Sequence, residues 1–200
     1  MKTLISILLL ITSSCFALDS TYRIKAFKKE GPVIYRSQGV AVHVDISSVG
    51  FKGNRYFLTC YHVHESYNEE IVVEIDGKDV PVKVIKYDEE FDISLLEAKE
   101  EITSKPIKIS ELVNEAKDLK AIGGPGNEEI ISQKCTMKLC FTGMWLINIK
   151  KFANGSSGSA IISNGRLVGI AKAVPVLLGM EVQGEAVVLP IRRIRQFLRE

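Results

Sequence analysis

Short apolar or β-branched runs separated by turn residues recur along almost the whole chain, and this texture limits the fold more than any other feature. The first set is VAVHVDI at 40–46, RYFLT at 55–59, IVVEI at 71–75, VPVKVI at 80–85 and DISLLE at 92–97. Period-two alternation and enrichment in Val and Ile make these strands. The pattern breaks at EITSKPIKISELVNEAKD, where polar residues and Pro106 intervene. The boundary between two halves is placed there, 18–105 before it and 106–200 after it. The second half repeats the texture with LKAIG at 119–123, EIISQ at 129–133, MWLINIK at 144–150, AIIS at 160–163, RLVGIAKAV at 166–174 and EAVVLP at 185–190. Only the end changes period. After Pro190, which suits a first helical turn, Ile191, Ile194, Phe197 and Leu198 recur at helical spacing. Roughly eleven or twelve strands in two sets, with no helices between them, predict paired antiparallel barrels or a sandwich.

Residues 1–17 stand outside this pattern. MKTLISILLLITSSCFA has one early Lys, an apolar run from Leu4 to Ile11 and a small-x-small site at Cys15-Phe16-Ala17, the layout of an export signal. The run falls short of the ~20 apolar residues that a spanning helix needs. The mature chain is expected to begin near Leu18, secreted or periplasmic. The rival is a lipoprotein anchored at Cys15 after Thr12-Ser13-Ser14. With 46% hydrophobic and 25% charged residues and a net charge of +2, the chain can bury a sizeable core and offers no charge block to a polyanion. No zinc-type Cys/His spacing occurs, so nucleic acid, metal and other cofactors are not expected.

Export governs how the thiols are read, because cysteines in an oxidising compartment tend to pair. Cys60, Cys135 and Cys140 remain after cleavage. Cys135 and Cys140, separated by TMKL, could close a small hairpin loop as a disulfide, leaving Cys60 over. The alternative is three buried reduced thiols.

Three local patterns stand in an informative order. LTCYHV at 58–63 runs a strand into His62, YDEEFDISLLE at 87–97 leads a polar loop to Asp92, and NGSSGSAI at 154–161 frames Ser157 with glycines. Asp88 competes with Asp92, but only Asp92 directly precedes the apolar strand. His43 lies within the alternating strand and His64 two residues past the motif, so both are read as structural. Alone, the stretch around Ser156, Ser157 and Ser159 reads as turn chemistry.

The order His, Asp, Ser resembles the chymotrypsin-like serine proteases, and more closely their HtrA/Deg branch. AIGGP at 121–125, LVGIAKA at 167–173 and AVVLPIRRIRQFL at the end are similar to further segments of that branch, so the resemblance covers roughly residues 36 to 198. It implies two antiparallel six-stranded β-barrels with a short C-terminal helix, polypeptide substrates and no cofactor. Ser157 would be the nucleophile, His62 its base and Asp92 the carboxylate that orients the imidazole. Backbone N–H groups at Gly155 and Ser157 would form the oxyanion hole.

The chain departs from the family in three ways. Ser159 replaces a common second glycine. Ser156 stands where trypsin-type zymogens carry an aspartate that pairs with a new N-terminus, so activation of that kind is not expected. No PDZ-like module follows, so HtrA-type regulation is not expected either.

By the resemblance, the primary substrate pocket involves Lys151, Phe152, Ala171, Lys172 and Ala173. It has no acid for Arg or Lys and no histidine of the Glu-specific type. A small-to-medium aliphatic P1 is expected, with an acidic P1 as the alternative should Lys151 point inward. Competing functions are a catalytically silent barrel that binds peptides and a virus- or phage-encoded processing protease. Oligomeric state is not legible.

The export reading is checked by mass spectrometry of exported protein. The expected mature N-terminus lies near Leu18; a lipid-modified Cys15 would replace the soluble form with an anchored one, and an intact Met1 in the cytosol would sink both.

Overall fold

The computed structural model describes residues 17–67, 69–111, 118–126, 128–177 and 179–200. Apart from Ala17, the export segment lies outside the described residues. The first sheet holds β1 (Thr21–Glu30), β2 (Val33–Asp45), β3 (Tyr56–Thr59), β4 (Glu70–Ile75), β5 (Lys78–Asp88), β6 (Ile93–Ala98) and β7 (Ile107–Lys108). Its order is β1-β4-β5-β6-β3-β2, and β1 also pairs with β2, so six strands close into a barrel. β7, just past Pro106, adds to β2 in parallel. Inward side chains from five of the six strands are fully buried, among them Ile24, Val42, Leu58, Val73 and Leu95, and β5 packs the partly buried Val80, Val82 and Val84 against them. β4 and β5 are joined by Asp76-Gly77, both at positive φ (51° and 73°), a two-residue turn whose twist matches the strands it connects.

The second sheet holds β8 (Lys120–Gly123), β9 (Ile131–Lys134), β10 (Thr136–Phe141), β11 (Met144–Asn148), β12 (Ser159–Ser163), β13 (Arg166–Ala173) and β16 (Glu185–Pro190). β14 (Val176–Leu177) and β15 (Met180–Glu181) form a separate ribbon. The sheet order is β10-β11-β16-β13-β12-β8-β9. The fold is the expected all-β, chymotrypsin-like one, but only its first half closes fully. The second is a curled half-barrel, and among the described residues no pairing joins its edge strands β9 and β10. Cys135 alone separates those two strands, and adjacent antiparallel strands need a turn of at least two residues between them.

The terminal helix α1 (Ile191–Arg199) buries Ile191, Ile194, Phe197 and Leu198, the four residues its periodicity singles out. It packs on β13 and β16 and also reaches the first barrel. Lys86 Nζ lies 5.1 Å from the Phe197 ring centre, and the Arg193 guanidinium lies 4.8 Å from that of Phe91. The helix therefore ties the two halves together.

The expected Cys135–Cys140 disulfide is not formed. TMKL is not a hairpin loop but the body of β10, which pairs with β11 along its length. Five residues of extended chain separate the two Cα atoms by roughly 16 Å, whereas a disulfide needs them within about 7 Å. All three described cysteines are free. Cys60 and Cys135 are buried, and Cys140 is exposed, which also departs from the alternative of three buried thiols. Burial pushes the Cys135 thiol up to about 12 and the Cys60 thiol well above its ordinary value. A maleimide should therefore label Cys140 alone in the native protein and all three thiols after denaturation. Reductant should leave the melting temperature unmoved; a drop of several degrees on reduction would reveal a bridge.

Candidate active site

Antiparallel pairing of β3 with β6 sets Thr59 opposite Ser94. The residues that follow β3 and precede β6 thus lie at one end of the barrel. Past β3, Cys60 leads into a single 3-10 turn, Tyr61–Val63, that presents His62. Before β6, a turn ends at Asp92 with φ 54°, a left-handed conformation that Asp tolerates better than most residues. The result is a close pair. His62 Nδ1 lies 2.9 Å from both Asp92 carboxylate oxygens, and the His62 backbone N–H donates to Oδ1 at 3.0 Å. Holding the ring by Nδ1 leaves Nε2 for other work. The Asp92 side chain is 16% exposed and that of His62 is 43% exposed, which suits a held carboxylate beside an accessible imidazole.

Ser157 comes from the opposite half, in the turn that enters β12. The turn is fixed through its carbonyl groups. Asn154 O accepts from Gly126 N–H at 3.1 Å, Ser156 O from Ser159 N–H at 3.1 Å and from Ser159 Oγ at 2.6 Å, and Ser157 O from Val40 N–H at 2.8 Å. In a planar trans peptide the N–H points opposite the C=O. Binding the Asn154 and Ser156 carbonyls on the packed side therefore turns the N–H groups of Gly155 and Ser157 to the other. Among the described residues neither donates to a protein acceptor. Gly155 (φ 84°) and Gly158 (φ 96°) are required here: a Cβ at 155 would meet Gly126 Cα at 2.5 Å, and one at 158 would meet Val40 O at 1.8 Å.

The neighbouring serines build this turn. Ser156 is fully buried; its N–H donates to Ala153 O at 2.9 Å while its Oγ accepts from Ala153 N–H at 3.2 Å. Ser159 is buried and back-bonds to Ser156. Ser157 Oγ donates to Lys172 O at 3.0 Å.

His62, Ser157, Gly155, Phe152, Lys172 and Ala173 line one cleft of about 480 Å³, together with Ser37, Gln38, Val63, Ala153, Asn154, Val174 and Glu181. Two residues expected at the pocket lie elsewhere. Lys151 pairs outward with Glu128 at 3.1 Å, and Ala171 is fully buried with its carbonyl accepting from Gly158 N–H. Lys172 belongs to the cleft, but its Nζ turns back to donate to Phe91 O at 3.2 Å and lies 3.7 Å from Asp92 Oδ2. Sequence reading missed Ser37, Gln38 and Glu181. The first two are half-buried residues between the exposed start of β2 and its buried end, where the pattern carries no core signal, and Glu181 comes from the short β14–β15 ribbon.

The competing histidines are structural. His43 is fully buried, stacked on Phe57 at 5.1 Å, and burial pulls its pKa down to about 4. His64 is buried with Nε2 2.8 Å from Ser94 Oγ. Cys60, His62 and Asp92 offer three donor atoms within 4.8 Å of one another. They fit a metal poorly: burial, reinforced by the Asp92 charge, keeps the Cys60 thiol protonated, and His62 Nδ1 already faces Asp92.

Residues 39–170 match the family model described as trypsin-like peptidase domain. No curated protein sequence matches the chain. Among solved structures, the active form of the Rv3671c protease from M. tuberculosis is similar, with a TM-score of 0.77 at 15% identity, over 96% of this chain and 84% of that one. Its inactive form gives a TM-score of 0.71 at 15% identity, over 96% of this chain and 93% of that one. A serine-to-alanine mutant of the same protease, also inactive in form, gives 0.70 at 15% identity over 93% and 88%.

Ser156→Ala and Ser159→Ala each remove one buried hydrogen bond and should cost about 1 kcal/mol. Calorimetry should show this as a fall of about 2–4 °C in melting temperature. A fall far beyond that range would mean that the turn depends on these hydroxyls for more than one bond each.

Proposed function

Because the chain belongs to the trypsin-like peptidase domain family, we propose that it is a serine endopeptidase that cleaves polypeptides in the cleft between its two halves. The observation that carries the reading is the His62–Asp92 pair facing the cleft that also holds Ser157 and the two outward N–H groups. The Ser157 hydroxyl attacks the scissile carbonyl carbon while His62 Nε2 takes its proton. Asp92 accepts the Nδ1–H and stabilises the imidazolium. The N–H groups of Gly155 and Ser157 hold the oxyanion of the tetrahedral intermediate. Collapse expels the amine, which receives the proton from His62, and leaves an ester on Ser157. Water, activated by the same imidazole, releases the acid.

For the first step the Ser157 hydroxyl must leave Lys172 O and turn to His62, which lines the same cleft. Phe152, Ala173 and Val174 supply apolar wall to the cleft, which favours a small-to-medium aliphatic P1. The outward ion pair of Lys151 removes the basis for an acidic P1. The protein works outside the cytoplasm; the support is the apolar run and small-x-small site of residues 1–17.

The engagement of the Ser157 hydroxyl by Lys172 O favours one rival, a silent barrel that binds peptides without cutting them. Fluorophosphonate labelling separates the two readings. The peptidase labels at Ser157, and Ser157→Ala abolishes both labelling and casein hydrolysis, with a loss of about 10⁶ in turnover; Asp92→Asn costs about 10⁴. A folded Ser157→Ala variant that kept more than a few per cent of activity would overturn the assignment, and a wild-type protein that neither labels nor cuts would establish the silent reading.

A further inference from the structure

Among the described residues, the guanidinium of Arg23, on β1, makes four hydrogen bonds, all to backbone carbonyls. Nη1 donates to Gly124 O at 2.7 Å and to Gly155 O at 3.1 Å; Nη2 donates to Pro125 O and to Glu128 O, each at 2.6 Å. Three of these acceptors belong to the loop after β8, and the fourth lies in the serine turn itself. The same loop supplies Gly126, whose N–H holds Asn154 O. Arg23 is half-buried, and burial draws its pKa down without threatening its charge.

These contacts form a chain of command over one peptide group. The Gly155 N–H faces the cleft only while Asn154 O stays on Gly126, and Gly126 stays in place only while its loop is held. Rotation of the 154–155 peptide would put a carbonyl where the donor stands and repel a developing oxyanion. Gly155, at φ 84° and without a Cβ, offers little steric resistance to such a rotation. What opposes it is the carbonyl network, in which Arg23 binds the loop and the turn at once. A planar fork with five N–H groups can serve four diverging carbonyls; a lysine ammonium, with three donors on one atom, cannot.

We propose that Arg23 is the positioning residue for the oxyanion donors: it keeps the Gly155 N–H turned to the cleft by tying Gly155, Gly124, Pro125 and Glu128 to β1. The proposal rests on the peptidase reading above. Its test uses p-nitrophenyl acetate, whose acylation of Ser157 needs the oxyanion donors but no P1 pocket, and phenylboronic acid, whose tetrahedral adduct needs the same donors. Arg23→Met, which keeps the stem, should slow acylation at saturating ester by about 10²-fold, the scale of one lost donor, and weaken boronate binding in parallel. The half-saturating ester concentration should stay within threefold. A purely structural anchor would instead lower the melting temperature and leave the acylation rate of the folded fraction alone.

Acylation within fivefold of wild type in folded Arg23→Met overturns the proposal, as does a loss carried wholly by half-saturation. Should Arg23→Met fail to fold, Arg23→Lys carries the same reading: a loss of acylation of fivefold or more supports the proposal and a smaller loss overturns it. A wild-type protein that neither turns over the ester nor labels with fluorophosphonate sinks the peptidase reading and this proposal with it. A wild-type enzyme with an undiminished Arg23→Met sinks the proposal alone.

Discussion

The two halves meet backbone to backbone where β2 runs beside the serine turn, and the cleft takes its dimensions from that seam. Val40 N–H donates to Ser157 O at 2.8 Å, and Val40 O accepts from Thr59 Oγ1 at 2.8 Å. No side chain can stand between strands this close. A Cβ at Gly39 would lie 2.9 Å from Ser157 O and 2.8 Å from the Val63 side chain, and one at Gly158 would lie 1.8 Å from Val40 O. Val63 directly follows His62, so one close approach fixes the spacing between the imidazole turn and the serine turn.

Within that frame the chemistry is set by which face of each peptide is occupied. The carbonyls of Asn154, Gly155, Ser156 and Ser157 are all held by donors from Gly126, Arg23, Ser159 and Val40. A buried carbonyl without a donor costs roughly 1–3 kcal/mol, so the turn cannot invert without loss. Outward N–H groups at 155 and 157 are the other side of that satisfaction. Ser156 shows the same economy: where trypsin-type zymogens carry an aspartate awaiting an ammonium, a buried hydroxyl closes a reciprocal pair with Ala153 and needs no counter-charge.

The first barrel treats its ionisable groups by the same rule. Asp92 lies within reach of the His62 N–H groups and the Lys172 ammonium, whereas His43, sealed against Phe57, is held neutral by burial. Burial without a charged partner disfavours the charged form of a group.

Sequence by itself determined the all-β class, most strands, the terminal helix and the order in which His62, Asp92 and Ser157 are presented, because side-chain period and turn residues act over a few positions. It missed β1, where only Ile24 and Ala26 are fully buried amid lysines and the polar outer face masks the inner one. It misread β10 as a loop because two cysteines suggested a bridge that the strand's extension forbids. Tertiary structure alone decided that Lys151 faces outward, that Lys172 turns toward Asp92, that the second sheet stays open, and that Arg23 reaches Gly155 across 132 residues of chain. Those outcomes depend on which carbonyl or carboxylate of the other half lies within reach of a donor. Local sequence carries no record of such distances, since they exist only once both sheets have curled and met.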